Sequence, residues 1–260
     1  MVLNFFLKNL KRGNTAHSDK FATMKEKSVL VTGCTKGIGL AIVKEFAYKG
    51  FNVAGCARNK EELTLLFMEL SNNFPKQKFF MEVCDVSNIE LLKIFAKDVI
   101  SEFGNIDVLV NNAGVFKPGT ICEEDEGAFE VQMATNVASA YHLTRAIVPV
   151  MKENKSGHIF NICSTASITA YTNGGSYCIS KFAMLGMSKV LREELKTHQI
   201  KVSSVLPGAT LTNSWAGTDL PEERFIPSDD IAKLISTVQE LSYSTNVEEI
   251  IIRPLAGDIN

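Results

Sequence analysis

The chain has 260 residues, 45% of them hydrophobic and 22% charged, with a formal net charge of −2 at pH 7. That length holds one large α/β domain or two small ones, and the apolar fraction argues against wholesale disorder. The near-neutral balance gives no electrostatic ground for nucleic acid or an anionic membrane as partner, and no apolar run reaches the ~18 residues that span a bilayer.

The first 24 residues stand apart. Lys8, Lys11, Arg12 and Lys20 face Asp19 alone, and the apolar stretch is too short and interrupted for a secretory signal. Residues 1–24 are expected to be a mobile leader, with an organelle presequence as the alternative; Met24 precedes "KEKSVLVTG", where a domain could begin. Residues 25–260 show no linker-like shift and read as one domain. The six cysteines (Cys34, Cys56, Cys84, Cys122, Cys163, Cys178) form no CxxC pair, and no metal site is expected. Free thiols suit a reducing compartment, so a cytoplasmic location is expected.

Short apolar, β-branched runs recur at 28–33, 51–56, 78–83, 106–110, 158–163, 200–206 and 249–252. Between them lie helical patterns. The first is Ile38, Ala41, Ile42, Glu45 and Phe46; the others span 61–70, 88–102, 129–151, 176–197 and 229–242. This alternation predicts an α/β fold, a doubly wound parallel sheet of about seven strands with helices on both faces. Ser228 before Asp229 and Asp230 reads as a helix cap, and the acidic run 123–126 as a solvated helix start.

The first strand runs into "TGCTKGIG", Thr32 to Gly39. Gly33, Gly37 and Gly39 allow a tight turn and close approach to a pyrophosphate on the free N–H groups of the next helix, and Thr35, Lys36 and Ile38 of the same stretch are expected to bind the cofactor. An acid after the second strand would bind a ribose 2′-hydroxyl. Instead "GCARNK" supplies Arg58, with no Asp or Glu in 51–60. Arg58 and Lys36 favour NADP(H) over NAD. Asp85, after the third strand, suits either an adenine amine or a turn. Asn112, Ala113 and Gly114, in "NNAG" after the fourth, suit a wall against the adenine ribose or a sharp turn.

"SYCISK" places Tyr177 and Lys181 on one helix face, thirteen residues beyond Ser164. Asn136 is a polar amide inside a helical stretch, where it is mildly unfavourable. Taken in order, "TGCTKGIG", "NNAG", Asn136, Ser164, "YCISK" and the "PG" of Pro207 and Gly208 resemble the single-domain short-chain dehydrogenase/reductase family over about residues 26–255. The resemblance implies a Rossmann-type oxidoreductase with Asn136, Ser164, Tyr177 and Lys181 as a catalytic tetrad. It also implies that Pro207, Gly208, Thr210 and Thr212 border the cofactor, with Thr212 on the nicotinamide carboxamide. Tyr177 would supply the proton that a carbonyl oxygen needs on accepting hydride. Lys181 would stabilise the phenolate, Ser164 would donate to the carbonyl oxygen, and Asn136 would hold a water joining Lys181 to solvent. Tyr177 and Lys181 would also touch the cofactor.

The uncharged segment 165–175, with Phe116, Tyr171, Trp215 and Phe225, favours a neutral, partly apolar ketone or aldehyde. Acids at 123–126, with Asp219, Glu222 and Glu223, would repel an acidic carrier, which ranks 3-oxoacyl thioesters second. A non-catalytic NADP(H) sensor is the reading from another class. His142, His158 and His198 read as helix-face or surface residues. The resemblance also implies a homodimer or homotetramer built on 129–151 and 176–197.

Overall fold

The computed structural model describes residues 26–212 and 217–258, so residues 1–24, where a leader is expected, and Trp215 lie outside the described residues. Seven strands form one parallel sheet: β1 (Ser28–Thr32), β2 (Asn52–Ala57), β3 (Phe79–Val83), β4 (Val108–Asn111), β5 (Gly157–Ile162), β6 (Ile200–Pro207) and β7 (Glu249–Ile252). Their order is β3-β2-β1-β4-β5-β6-β7, so the sequence order reverses between β1 and β4, where ligands of such sheets bind. The helices are α1 (Gly37–Tyr48), α2 (Lys60–Asn73), α3 (Ile89–Phe103), α4 (Ala128–Met133), α5 (Ser139–Asn154), α6 (Gly175–Leu195) and α7 (Ser228–Glu240). The predicted fold class is the observed one.

Alternation along the strands divides two cores. Val29, Val31, Val108 and Val110 pack with Ile42 and Phe46 of α1 and Ile231 and Ile235 of α7. Leu30 and Leu109 turn to the other face, against Phe95 of α3 and Ile147 of α5. All of these are buried, and each such side chain contributes about 1.5–3 kcal/mol of transfer free energy. Local chemistry sets several ends. Asn59 caps α2 by accepting from Glu62 N, Asn88 caps α3 through Glu90 N and Leu91 N, and Gly104 ends α3 at φ 69°.

Three local expectations need correction. Ser228 does not cap α7; its hydroxyl donates to Leu211 O at 3.0 Å, and Pro227 precedes the helix without a side-chain cap. The acidic run 123–126 does not start a helix, because α4 begins only at Ala128, after Gly127 at φ 84°. His158 is neither on a helix face nor at the surface. It lies buried in β5, with Nδ1 2.8 Å from Gln239 Oε1, Nε2 2.8 Å from Ser203 Oγ and its ring stacked on Phe160.

Burial, helped by the Lys201 charge, pushes His158 down from 6.5 to about 3, with the Gln239 bond opposing. The native ring therefore stays neutral at pH values where the unfolded one takes a proton. Its stabilising contribution is complete above pH 6.5 and declines as pH falls toward 3. Thermal unfolding should show about 2 kcal/mol less stability from this group at pH 5 than at pH 7, and His158→Gln should flatten that dependence.

Candidate active site

Because the strands are parallel, Gly33, Arg58, Asp85, Asn112, Ser164 and Gly208 all follow strand C-terminal ends and share one edge of the sheet. The glycine turn is built for close approach. Gly37 has φ 51° and a Cβ there would lie 2.9 Å from Thr212 Cγ2, while one on Gly39 would lie 2.1 Å from Gly33 O. Asn112 braces this turn: its amide donates to Thr32 O at 2.8 Å and Gly33 O at 3.1 Å. Thr32 Oγ1 in turn accepts from Asn112 N and Ala113 N, each at 3.0 Å. The amide thus ties the turn to the end of β4.

Helix α1 starts after Lys36, with no side-chain cap and no acid in its first turn. Its N–H groups and positive dipole end are left for a phosphate. A helix whose start is stripped of caps beneath a turn that admits no Cβ fits a bound pyrophosphate.

Arg58 is exposed beyond β2, and its charge helps hold the Asp85 carboxyl below its usual range, after the larger effect of the Ser87 hydrogen bond. Asp85 Oδ1 accepts from both Ser87 N (3.0 Å) and Ser87 Oγ (2.7 Å), so this oxygen forms the turn. Lys36 Nζ pairs with Glu62 Oε1 at 2.7 Å, which holds the Glu62 carboxyl below its usual range together with Thr35. Glu62, two residues beyond the acid-free stretch 51–60, shares Lys36 with any ligand there. Thr210 is buried, with Oγ1 donating to Gly208 O at 3.0 Å, and Gly208 N donates to Ile252 O at 2.8 Å, so both shape the turn after Pro207.

Tyr177 lies in the first turn of α6, its ring edge-on to Phe116 with centroids 4.9 Å apart. Lys181 is buried one turn later. Its Nζ donates to Ile162 O at 3.0 Å and sits 5.6 Å from the Tyr177 ring centroid. No carboxylate pairs with this ammonium among the described residues. Its remaining donors suit a ribose hydroxyl or a water. A Cβ on Gly114 would lie 3.7 Å from Lys181 Nζ, so the end of β4 borders the same charge.

Ser164 follows β5, its Oγ accepting from Ala166 N at 3.1 Å while its own N–H donates to Ser167 Oγ at 3.2 Å. This capping box fixes the hydroxyl and leaves its proton for a neighbouring oxygen. Asn136 sits in a π-helical turn, Ala134–Ala138, between α4 and α5; such turns recur at functional sites. Both polar atoms of its side chain are bonded. Oδ1 accepts from Val115 N (2.7 Å), and Nδ2 donates to Val115 O (2.9 Å) and Ser180 Oγ (2.9 Å). Ser180 Oγ donates on to Tyr177 O at 2.7 Å. Asn136 therefore fastens the loop carrying Phe116 to the helix carrying Tyr177, a role that spacing did not suggest.

The proposed lining divides. Phe116 faces Tyr177, but Phe225 is buried. Tyr171 borders an open apolar cavity of about 580 Å³ with Ile121, Cys178, Ile179 and Phe182. At 100° per residue, Ile179 and Phe182 lie on the side of α6 turned away from Tyr177 and Lys181.

Paired donors over a strand edge, beside a capless helix and a glycine turn, define a nucleotide-dependent oxidoreductase on a Rossmann-type frame. The family model for short chain dehydrogenases matches residues 27–222, and the chain belongs to that family. It is 31% identical over 245 residues to the sepiapterin reductase of Chlorobaculum tepidum, across 89% of this chain and 97% of that one. It is 33% identical over 224 residues to the 3-oxoacyl-[acyl-carrier-protein] reductase of Haemophilus influenzae, across 82% and 90% of the two chains. A solved metagenomic short-chain oxidoreductase in complex with NADP superposes with a TM-score of 0.77 at 31% identity, covering 88% and 96%.

Proposed function

We propose that this protein reduces a neutral, partly apolar ketone or aldehyde with NADPH, and oxidises the corresponding alcohol in reverse. The observation that carries this is the convergence of Tyr177, Lys181 and the fixed Ser164 hydroxyl on the sheet edge that also holds the glycine turn. NADPH, once bound, supplies hydride to the carbonyl carbon. Gly33, Gly37 and Gly39 would admit its pyrophosphate to the start of α1, and Arg58 and Lys36 would hold its 2′-phosphate. Tyr177 Oη donates the proton to the developing alkoxide, Ser164 Oγ hydrogen-bonds the same oxygen, and the Lys181 ammonium stabilises the phenolate left behind.

Phe116 against Tyr177 and the uncharged 165–175 segment support an apolar carbonyl compound. The relative from Haemophilus influenzae supports a 3-oxoacyl thioester as the second reading. Exposed apolar residues on α4 to α6, namely Phe129, Val131, Tyr141, Ile179, Phe182 and Val190, support a homo-oligomer formed through these helices. The free cysteines support a reducing, cytoplasmic setting. Among the described residues no helix is long and apolar enough to cross a membrane.

The test is initial rates of NADPH and NADH oxidation against ketones, aldehydes, quinones and 3-oxoacyl thioesters. Turnover with NADPH on free carbonyls is expected; NADH preference, or activity confined to carrier-bound thioesters, would overturn the reading. Because Glu62 already engages Lys36, Arg58 carries the discrimination. Arg58→Ala should raise the KM for NADPH about 10–100-fold and leave that for NADH unchanged, as expected for losing charge-assisted bonds to a phosphate.

A further inference from the structure

Helix α6 carries Tyr177 two residues from its start, yet its N-cap, Gly174, provides no side-chain bond. The missing cap comes from 52 residues upstream. Glu124 Oε1 accepts from Ser176 N at 2.7 Å, and Glu124 Oε2 accepts from Ser176 Oγ. A carboxylate is the strongest such acceptor and complements the positive helix end.

The surroundings make room for this one side chain. A Cβ on Gly175 would lie 2.1 Å from Glu124 Oε1 and 2.7 Å from Gly119 O, and one on Gly119 would lie 2.5 Å from Glu124 Cγ. The two backbones are joined as well. Gly119 N donates to Asn173 O at 3.1 Å, and Gly119 and Gly174 form a parallel bridge. The loop that sets Phe116 edge-on to Tyr177 is therefore fastened at both ends, by Asn136 through Val115 and by Glu124 through Ser176.

We propose that Glu124 is a positioning residue for Tyr177: it locks the first turn of α6 to the loop after β4 and so fixes where the phenol meets the substrate. The inference rests on the reading of Tyr177 as proton donor. Glu124 touches no reacting atom and acts through the Ser176 backbone. A displacement of about 1 Å at a catalytic group can reduce rate by ~100-fold, so a loosened first turn should appear in kcat.

The test uses the full-length chain with two readouts. One is amide hydrogen exchange over residues 173–180 in the presence of NADPH, which needs no substrate. The other is steady-state kinetics with the best carbonyl from the panel above. Glu124→Ala should speed exchange at Ser176 and lower kcat about 10–100-fold, with the NADPH Kd within about twofold of wild type. Glu124→Gln keeps an acceptor oxygen and a donor for Ser176, and should recover kcat to within about threefold. Gly175→Ala, which displaces the carboxylate without removing it, should reproduce the alanine phenotype and decides the matter if Glu124→Ala does not fold. Wild-type exchange and kcat in Glu124→Ala, an equal loss of kcat and NADPH affinity, or failure of the glutamine to rescue would each overturn the proposal. Turnover surviving in Tyr177→Phe would instead sink the proton-donor reading, while the exchange result still decides whether Glu124 holds the helix.

Discussion

Tyr177→Phe is expected to bind NADPH as tightly as the wild type and to lose about 1,000-fold in kcat, within the range assigned to general acid catalysis. The substitution removes one hydroxyl and leaves the ring. The edge contact with Phe116 at 4.9 Å can persist, and Lys181 keeps its bond to Ile162 O at 3.0 Å. The helix start is unchanged because Ser176, not Tyr177, meets Glu124. A kcat within tenfold of wild type would show that another group supplies the proton. NADPH fluorescence titration beside steady-state kinetics separates the two quantities.

Gly39→Ala should act on the other half of the site. Its Cβ would fall 2.1 Å from Gly33 O and 2.5 Å from Asn112 Nδ2, between the turn and its brace. Neither neighbour can yield cheaply, because Asn112 Nδ2 is bonded to Thr32 O and Gly33 O together. The overpacking should destabilise the fold by about 1–3 kcal/mol. Displacing the turn from the start of α1 should weaken NADPH binding about 100-fold, equivalent to losing one or two charge-assisted hydrogen bonds. Calorimetric titration checks the binding and thermal unfolding checks the stability; wild-type affinity would mean that the turn does not approach the phosphates.

These two sites were legible in the sequence because their signals are local. Three glycines in one turn and a Tyr and Lys one helical turn apart can be read without knowing what they pack against. Strand ends fell within two residues of expectation, since apolar β-branched runs stop where polar loops begin. The contacts that spacing cannot show are long-range. Glu124 reaches Ser176 across 52 residues, and in a run of four acids nothing sets it apart from its neighbours. Asn136 stood out only as a polar residue in a helix, and its grip on Val115 and Ser180 depends on the π-turn. His158 looked ordinary because burial between β6 and α7 leaves no mark on its own segment. Glu62 gives no such signal because it lies in the first turn of α2, past the strand end where an acid selects a ribose hydroxyl.

Hydride transfer from NADPH to a free carbonyl can be followed by deuterium labelling. The two C4-deuterated epimers of NADPH would be incubated with the full-length protein and the best carbonyl from the panel, and the product alcohol analysed by mass spectrometry. One deuterium is expected on the former carbonyl carbon from one epimer and none from the other, with the transfer lost in Tyr177→Phe. Tight NADPH binding with no labelled alcohol from either epimer would contradict it and leave the protein as a binder of the nucleotide.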